Sequence, residues 1–222
     1  MAITIYQLDR SRSERAVWLM EELGAAYTIE FFERLPVTMQ AEPAYKALHP
    51  LGSSPVLGID GRNIAESGAV IEYLATTQGG GALALGPDSP DYADYLYWFH
   101  FAESSMMPAL VSEIMAGFAG IDPANPLRVH TRDRIAQLLA FTDARLSTVP
   151  FFAGDRFTAA DVMMTFPFTM TRQFVPVDVA SHPAIAAYVE RMEARPAYQR
   201  CRAIVDSPAK QPGTPWPKRP RR

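Results

Sequence analysis

The chain has 222 residues, 48% hydrophobic and 20% charged, which suits one large or two modest globular domains and excludes a disordered chain. A single cysteine, Cys201, excludes an intramolecular disulfide framework, and His49, His100, His130 and His182 are spaced too widely for a zinc motif. Net charge is −3, but Pro208 to Arg222 holds five Lys/Arg and no acid, so the body keeps 16 basic against 24 acidic residues, about −8, a poor surface for nucleic acid.

Met1 to Tyr6 opens on a strand-like run with no basic stretch leading an apolar one, and no segment is apolar over the roughly 18 residues a membrane span needs. A cytoplasmic protein is expected. Ile3 to Leu8 is the first predicted strand. Ser11 to Gly24 follows as a helix, with Ala16, Val17, Leu19, Met20 and Leu23 on one face and Gly24 as the stop. Tyr27 to Phe32 is β-rich, and a polar stretch around Pro36 to Pro43 leads into a short helix ending near Leu48. His49-Pro50-Leu51-Gly52 makes a turn, and Pro55 to Ile59 forms a strand. Asp60-Gly61 then marks a hairpin returning through Arg62 to Ala65. Glu66 to Thr77 is helical, and Gly79-Gly80-Gly81 closes the unit. The order βαβαββα predicts a mixed four-stranded sheet with helices packed on it, the thioredoxin-like arrangement, over residues 1–80.

Beyond Gly86-Pro87-Asp88-Ser89-Pro90 the pattern is helical: Asp91 to Gly117 (with a bend expected at Pro108), Pro126 to Leu146, Thr158 to Thr171, His182 to Ala194 and Pro196 to Val205. The pair Phe151-Phe152 is ambiguous. An all-α domain over residues 89–205 is expected, followed by a Pro-rich basic tail, 206–222, read as disordered.

Three segments carry chemistry. Ser11-Arg12-Ser13-Glu14-Arg15 sets hydroxyls at the start of the first helix, where unpaired N–H groups and the helix dipole favour an anion such as a thiolate. Taken singly, Ser11 or Ser13 reads as a helix cap, and Arg15 as a surface residue paired with Glu14 or Glu21. Ser53-Ser54-Pro55 puts a proline at a strand start, which marks an edge, a turn or a cis bond. Glu66-Ser67 opens a helix with an acid for an ammonium group and N–H donors for a carboxylate, although simple capping explains it too. In a thioredoxin-like sheet these segments meet at one edge. Together they match glutathione, which presents a thiol, two amides and a γ-glutamyl head.

On these segments, and on Trp18 to Leu23, His49 to Leu57, Ile64 to Leu74 and Phe157 to Asp161, the sequence resembles the glutathione transferase family over about residues 3 to 205. It looks like the serine-type, theta-like bacterial and fungal branch. The resemblance implies a glutathione transferase architecture, a homodimer, and conjugation of glutathione to small hydrophobic electrophiles. Within it Ser11 (or Ser13) would contact the glutathione sulfur. Pro55 would be cis, Ser54 would pair its backbone with the cysteinyl part, and Glu66 and Ser67 would hold the γ-glutamyl end. Thr158 would cap the family's sixth helix, with Asp161 returning the bond. The electrophile pocket would lie between the domains against the long helix, where Tyr97, Phe101, Ser104, Ser105, Met106 and Met107 are available; such a helix also reads as core or dimer interface. Glu103 would reach across the dimer interface. One position departs from the family: Ser53 stands where lysine is common, leaving Gln40 or His49 to meet the glycyl carboxylate. No metal is implied. Glutathione-dependent peroxide or disulfide reduction, and a non-catalytic binding or assembly role, are the competing readings.

Overall fold

A computed structural model of the chain describes residues 2–35, 38–169, 174 and 178–206. The chain divides into two compact units, one built from residues up to Leu74 together with the last helix, the other from Ala75–Arg195.

The first unit runs β1 (Ile3–Leu8), α1 (Glu14–Leu23), β2 (Thr28–Phe32), α2 (Pro43–Lys46), β3 (Val56–Ile59), β4 (Arg62–Ala65) and α3 (Ser67–Thr77). The sheet order is β2-β1-β3-β4, with β1 parallel to β2 and the other pairs antiparallel. This is the thioredoxin-like sheet the element order predicts. All four residues of β3 are buried, as its unbroken apolar run Val-Leu-Gly-Ile requires of an interior strand. The β3–β4 turn places Asp60 and Gly61 at φ 43° and 87°, the left-handed pair a two-residue hairpin demands. Helix α1 buries Ala16, Val17, Leu19 and Met20 and ends on Gly24 at φ 58°, whose N–H returns to the Met20 carbonyl.

The second unit contains α4 (Tyr92–Phe101), a π turn (Ala102–Met106), α5 (Met107–Phe118), α6 (Pro126–Leu146), α7 (Ala159–Thr169) and α8 (Pro183–Glu193). The bend expected at Pro108 falls one turn earlier, because proline offers no N–H and its ring crowds the carbonyl four residues back, so the ladder widens ahead of it. Phe151 exchanges backbone bonds with Gly154 at 3.1 and 3.0 Å, which makes the ambiguous pair a tight bridge rather than a strand. Every residue of α7 is buried. Its start is fixed by Asp161, which accepts from the Thr158 N–H at 2.8 Å and from the Phe152 N–H at 3.0 Å. The Thr158 hydroxyl donates to the same carboxylate at 3.2 Å.

The last helix, α9 (Pro196–Val205), packs on α1 in the first unit, with Tyr198 edge-on to Trp18 at 4.9 Å. Arg200 pairs with Glu21 at 2.7 Å and Arg202 with Glu14 at 2.9 Å. Burial pushes Glu14 up to about 7 against the pull of Arg202. Beyond Asp206 the Pro-rich basic tail lies outside the described residues, as do Thr171 and part of the Pro36 stretch. Among the described residues no helix is long and apolar enough to cross a membrane.

Candidate active site

Strand register assembles the site. Val56 pairs with Tyr6 on one side and with Ala65 on the other, so the end of β1, the start of β3 and the end of β4 share one end of the sheet. Ser11 follows β1, Ser54 and Pro55 precede β3, and Glu66 and Ser67 follow β4. Leu8, Ala41, Tyr45, Val56 and Ala65 form the apolar floor beneath that end.

Three hydroxyls meet there. Ser11 Oγ lies 2.7 Å from Ser13 Oγ and 2.7 Å from Ser54 Oγ, and it donates to the Leu8 carbonyl at 2.8 Å. Ser13 Oγ accepts from the Leu8 N–H at 3.1 Å, while the Ser13 N–H reaches Ser11 Oγ at 3.3 Å. Ser13 stands at the N-cap position of α1 in helical geometry, and its side chain makes no cap bond. Both serines therefore spend their oxygens on tying β1 to the loop ahead of α1. Ser11 and Ser13 are buried, whereas Ser54 is half-buried. The Ser54–Pro55 peptide is cis. Behind Ser54 stands the Tyr45 phenol, fully buried, its pKa raised by that burial.

Arg15 is only 1% exposed, which removes the surface reading; Glu14 pairs with Arg202 and Glu21 with Arg200. Ser67 is buried at the first turn of α3, and Glu66 is exposed with φ 77°. That left-handed backbone is uncommon for a residue with a side chain. The Glu66 carbonyl accepts from the Val70 N–H at 2.9 Å, so the residue starts α3 while its side chain faces solvent.

The loop before β3 has a cation beside it that sequence spacing missed. Lys46, at the end of α2, donates from Nζ to Gln40 Oε1 at 2.8 Å, and its stem crosses Gly52. Gln40 is thus joined to a charge. His49 is turned back on its own loop, its Nδ1 3.4 Å from the Leu51 N–H.

In the second unit, Tyr97 is half-exposed and stacks on Phe101 at 5.7 Å, with Phe141 edge-on at 6.3 Å. Phe101, Met106 and Met107 are buried, Ser104 is exposed, Ser105 is intermediate, and Glu103 sits in the π turn. The two methionines are therefore core residues; Tyr97 and Ser104 stay at the surface.

Residues 11–77 match the family model of the glutathione S-transferase N-terminal domain, and residues 105–196 match that of the C-terminal domain. The chain belongs to the glutathione S-transferase family. It is 33% identical over 186 residues to glutathione S-transferase 3 of Schizosaccharomyces pombe, covering 78% of this chain and 76% of that protein. Among solved structures, a glutathione S-transferase from Actinobacillus pleuropneumoniae superposes with a TM-score of 0.82 at 28% identity, covering 92% of this chain and 93% of that one. A theta class enzyme from Xanthomonas axonopodis pv. citri, with glutathione bound, gives 0.70 at 30% identity over 90% and 96%.

Proposed function

We propose that this glutathione S-transferase activates the glutathione thiol for attack on small hydrophobic electrophiles, in the manner of the serine-type, theta-like branch. The observation that carries the reading is the serine cluster at the end of β1, on the same sheet end as Pro55 and Glu66. A free thiol has a pKa of about 8.5 and is mostly protonated at neutral pH, so a hydroxyl donor beside the start of α1 raises the thiolate fraction. Ser11 acts as that donor, with Ser13 held behind it. When the Ser11 proton turns to sulfur, the Leu8 carbonyl keeps the Ser13 hydroxyl, 3.4 Å away. Serine here assists the cosubstrate's sulfur and is not itself the nucleophile.

The remaining residues bind and orient. The Ser54 backbone beside Pro55 pairs with the cysteinyl amide, Glu66 accepts from the γ-glutamyl ammonium, and Ser67 with its neighbouring N–H groups holds the α-carboxylate. Lys46, steadied by Gln40, meets the glycyl carboxylate and supplies the charge Ser53 lacks. Tyr97, Phe101, Ser104 and Ser105 are the residues we assign to the electrophile. The working form is a cytoplasmic homodimer acting in detoxification.

Calorimetric titration with glutathione, followed by an aryl-halide assay of wild type and Ser11→Ala, tests the reading. Saturable binding with turnover lost in the variant is expected. Absent binding overturns the reading, and turnover on cumene hydroperoxide in place of the aryl halide assigns the enzyme to peroxide reduction.

A further inference from the structure

The residue before the cis-proline has so far contributed only its backbone. Its side chain, however, is the third member of the hydroxyl cluster, and it is half-buried where the other two are buried. Ser11 has one proton, given to the Leu8 carbonyl at 2.8 Å. Ser13 is fully buried, and the acceptors recorded beside its hydroxyl are Ser11 Oγ at 2.7 Å and the same carbonyl at 3.4 Å, while it accepts from the Leu8 N–H at 3.1 Å. Both protons point into the protein. Ser54 is the half-buried one, with its oxygen 2.7 Å from Ser11 Oγ.

A second observation bears on Ser54 from the other side. The Tyr45 phenol, 0% exposed, faces Ser54 and the Val56 backbone yet has no well-aligned hydrogen-bond partner. A buried phenol left unpaired is costly, so its O–H is directed at an acceptor within reach. Ser54 carries the hydroxyl on that side. Accepting from Tyr45 would leave Ser54 its own proton to give, and each donor upstream strengthens the one it feeds.

We propose that the Ser54 hydroxyl is a second side-chain donor to the glutathione sulfur, beside Ser11. This rests on the glutathione site proposed above. In this arrangement the sulfur accepts from Ser54, whose proton is given to Ser11 Oγ at 2.7 Å in the free protein, and from Ser11, whose proton is given to the Leu8 carbonyl; both turn to the sulfur when glutathione binds. Valine or alanine at position 54 would retain the backbone pairing and lose the donor. Threonine would retain both.

The test is the ionisation of bound glutathione, followed by the ultraviolet absorbance of its thiolate across pH, in wild type, Ser54→Ala and Ser54→Thr. Affinity for S-methylglutathione, which has no thiol to ionise, is measured alongside. Ser54→Ala is expected to raise the midpoint of thiolate formation by about one pH unit, a tenfold loss of thiolate at pH below both midpoints. S-methylglutathione affinity should stay within about twofold, and Ser54→Thr should restore the wild-type midpoint. An unchanged midpoint in Ser54→Ala overturns the proposal. So does a midpoint shift accompanied by an equal loss of S-methylglutathione affinity, which would mean that Ser54 shapes the pocket and does not act on the sulfur. Wild-type protein that binds neither ligand instead overturns the glutathione site as a whole, so the two failures are told apart.

Discussion

The stem of Lys46 crosses Gly52 so closely that a Cβ built on Gly52 would lie 2.9 Å from Lys46 Cγ. Gly52 also sits at φ 59°, a conformation side chains rarely adopt. One glycine thus serves both the loop's backbone and the course of the neighbouring lysine. Gly52→Ala is expected to cost about 1–2 kcal/mol in urea unfolding. It should also weaken glutathione binding, because Lys46 is pushed off its path.

Lys46→Met removes the charge and keeps most of the stem. Glutathione affinity is expected to fall roughly fivefold, about 1 kcal/mol, as suits an exposed charge. Glutathione esterified at its glycyl carboxylate should bind wild type and variant alike. Calorimetry at low and high salt checks both statements, and the wild-type advantage should shrink in salt.

Glu14 couples α1 and α9 to pH. Its pKa is raised to about 7 because burial outweighs the attraction of Arg202 and Arg15, with Asp206 adding repulsion. The folded state therefore holds this proton more tightly than the unfolded chain does. The resulting stability is fully present below the unfolded value and is lost as pH rises through about 7. Thermal melts should show a loss of roughly 1 kcal/mol between about pH 6 and 8. Glu14→Gln should flatten that slope. Asp161, raised to about 6 by burial, contributes with the same sign mainly below this window.

Asp161 accepts from the Phe152 and Thr158 N–H groups, from the Thr158 hydroxyl, and from the Tyr188 hydroxyl at 3.1 Å. Asp161→Ala strands these buried donors and removes the anchor of a helix that is buried throughout. A loss of about 3 kcal/mol or more is expected in urea unfolding. Thr158→Ser retains the hydroxyl and should cost under about 1 kcal/mol.

Ser13→Ala removes the acceptor of the Leu8 N–H as well as a neighbour of Ser11. Turnover is expected to fall less than in Ser11→Ala, and the melting temperature to fall more. Parallel assays and melts of the two variants separate the donor from its support.

The sequence alone determined the elements and their order. A helical apolar stripe ending in Gly24, an Asp-Gly hairpin and an unbroken apolar strand each act within a few residues, so their signals survive without tertiary information. The segments around Ser11, Pro55 and Glu66 were also legible, because each lies at the end of such an element. Tertiary packing alone decided what their side chains meet. The Ser11 and Ser54 hydroxyls are 43 positions apart, and only the β1–β3 register brings them to 2.7 Å. Arg15 carries no local mark of its burial. Lys46 reaches the loop before β3 only because α2 turns it across a glycine. The last helix continues the helical pattern of the second half in sequence, yet it folds with the first unit, since the Trp18 ring and the acids at 14 and 21 are the surface it fits. The proposed glutathione site was thus outlined by local pattern, whereas the half-buried Ser54 hydroxyl and the Lys46 charge beside the loop before β3 depend on strand register and helix packing, which couple residues far apart in the chain.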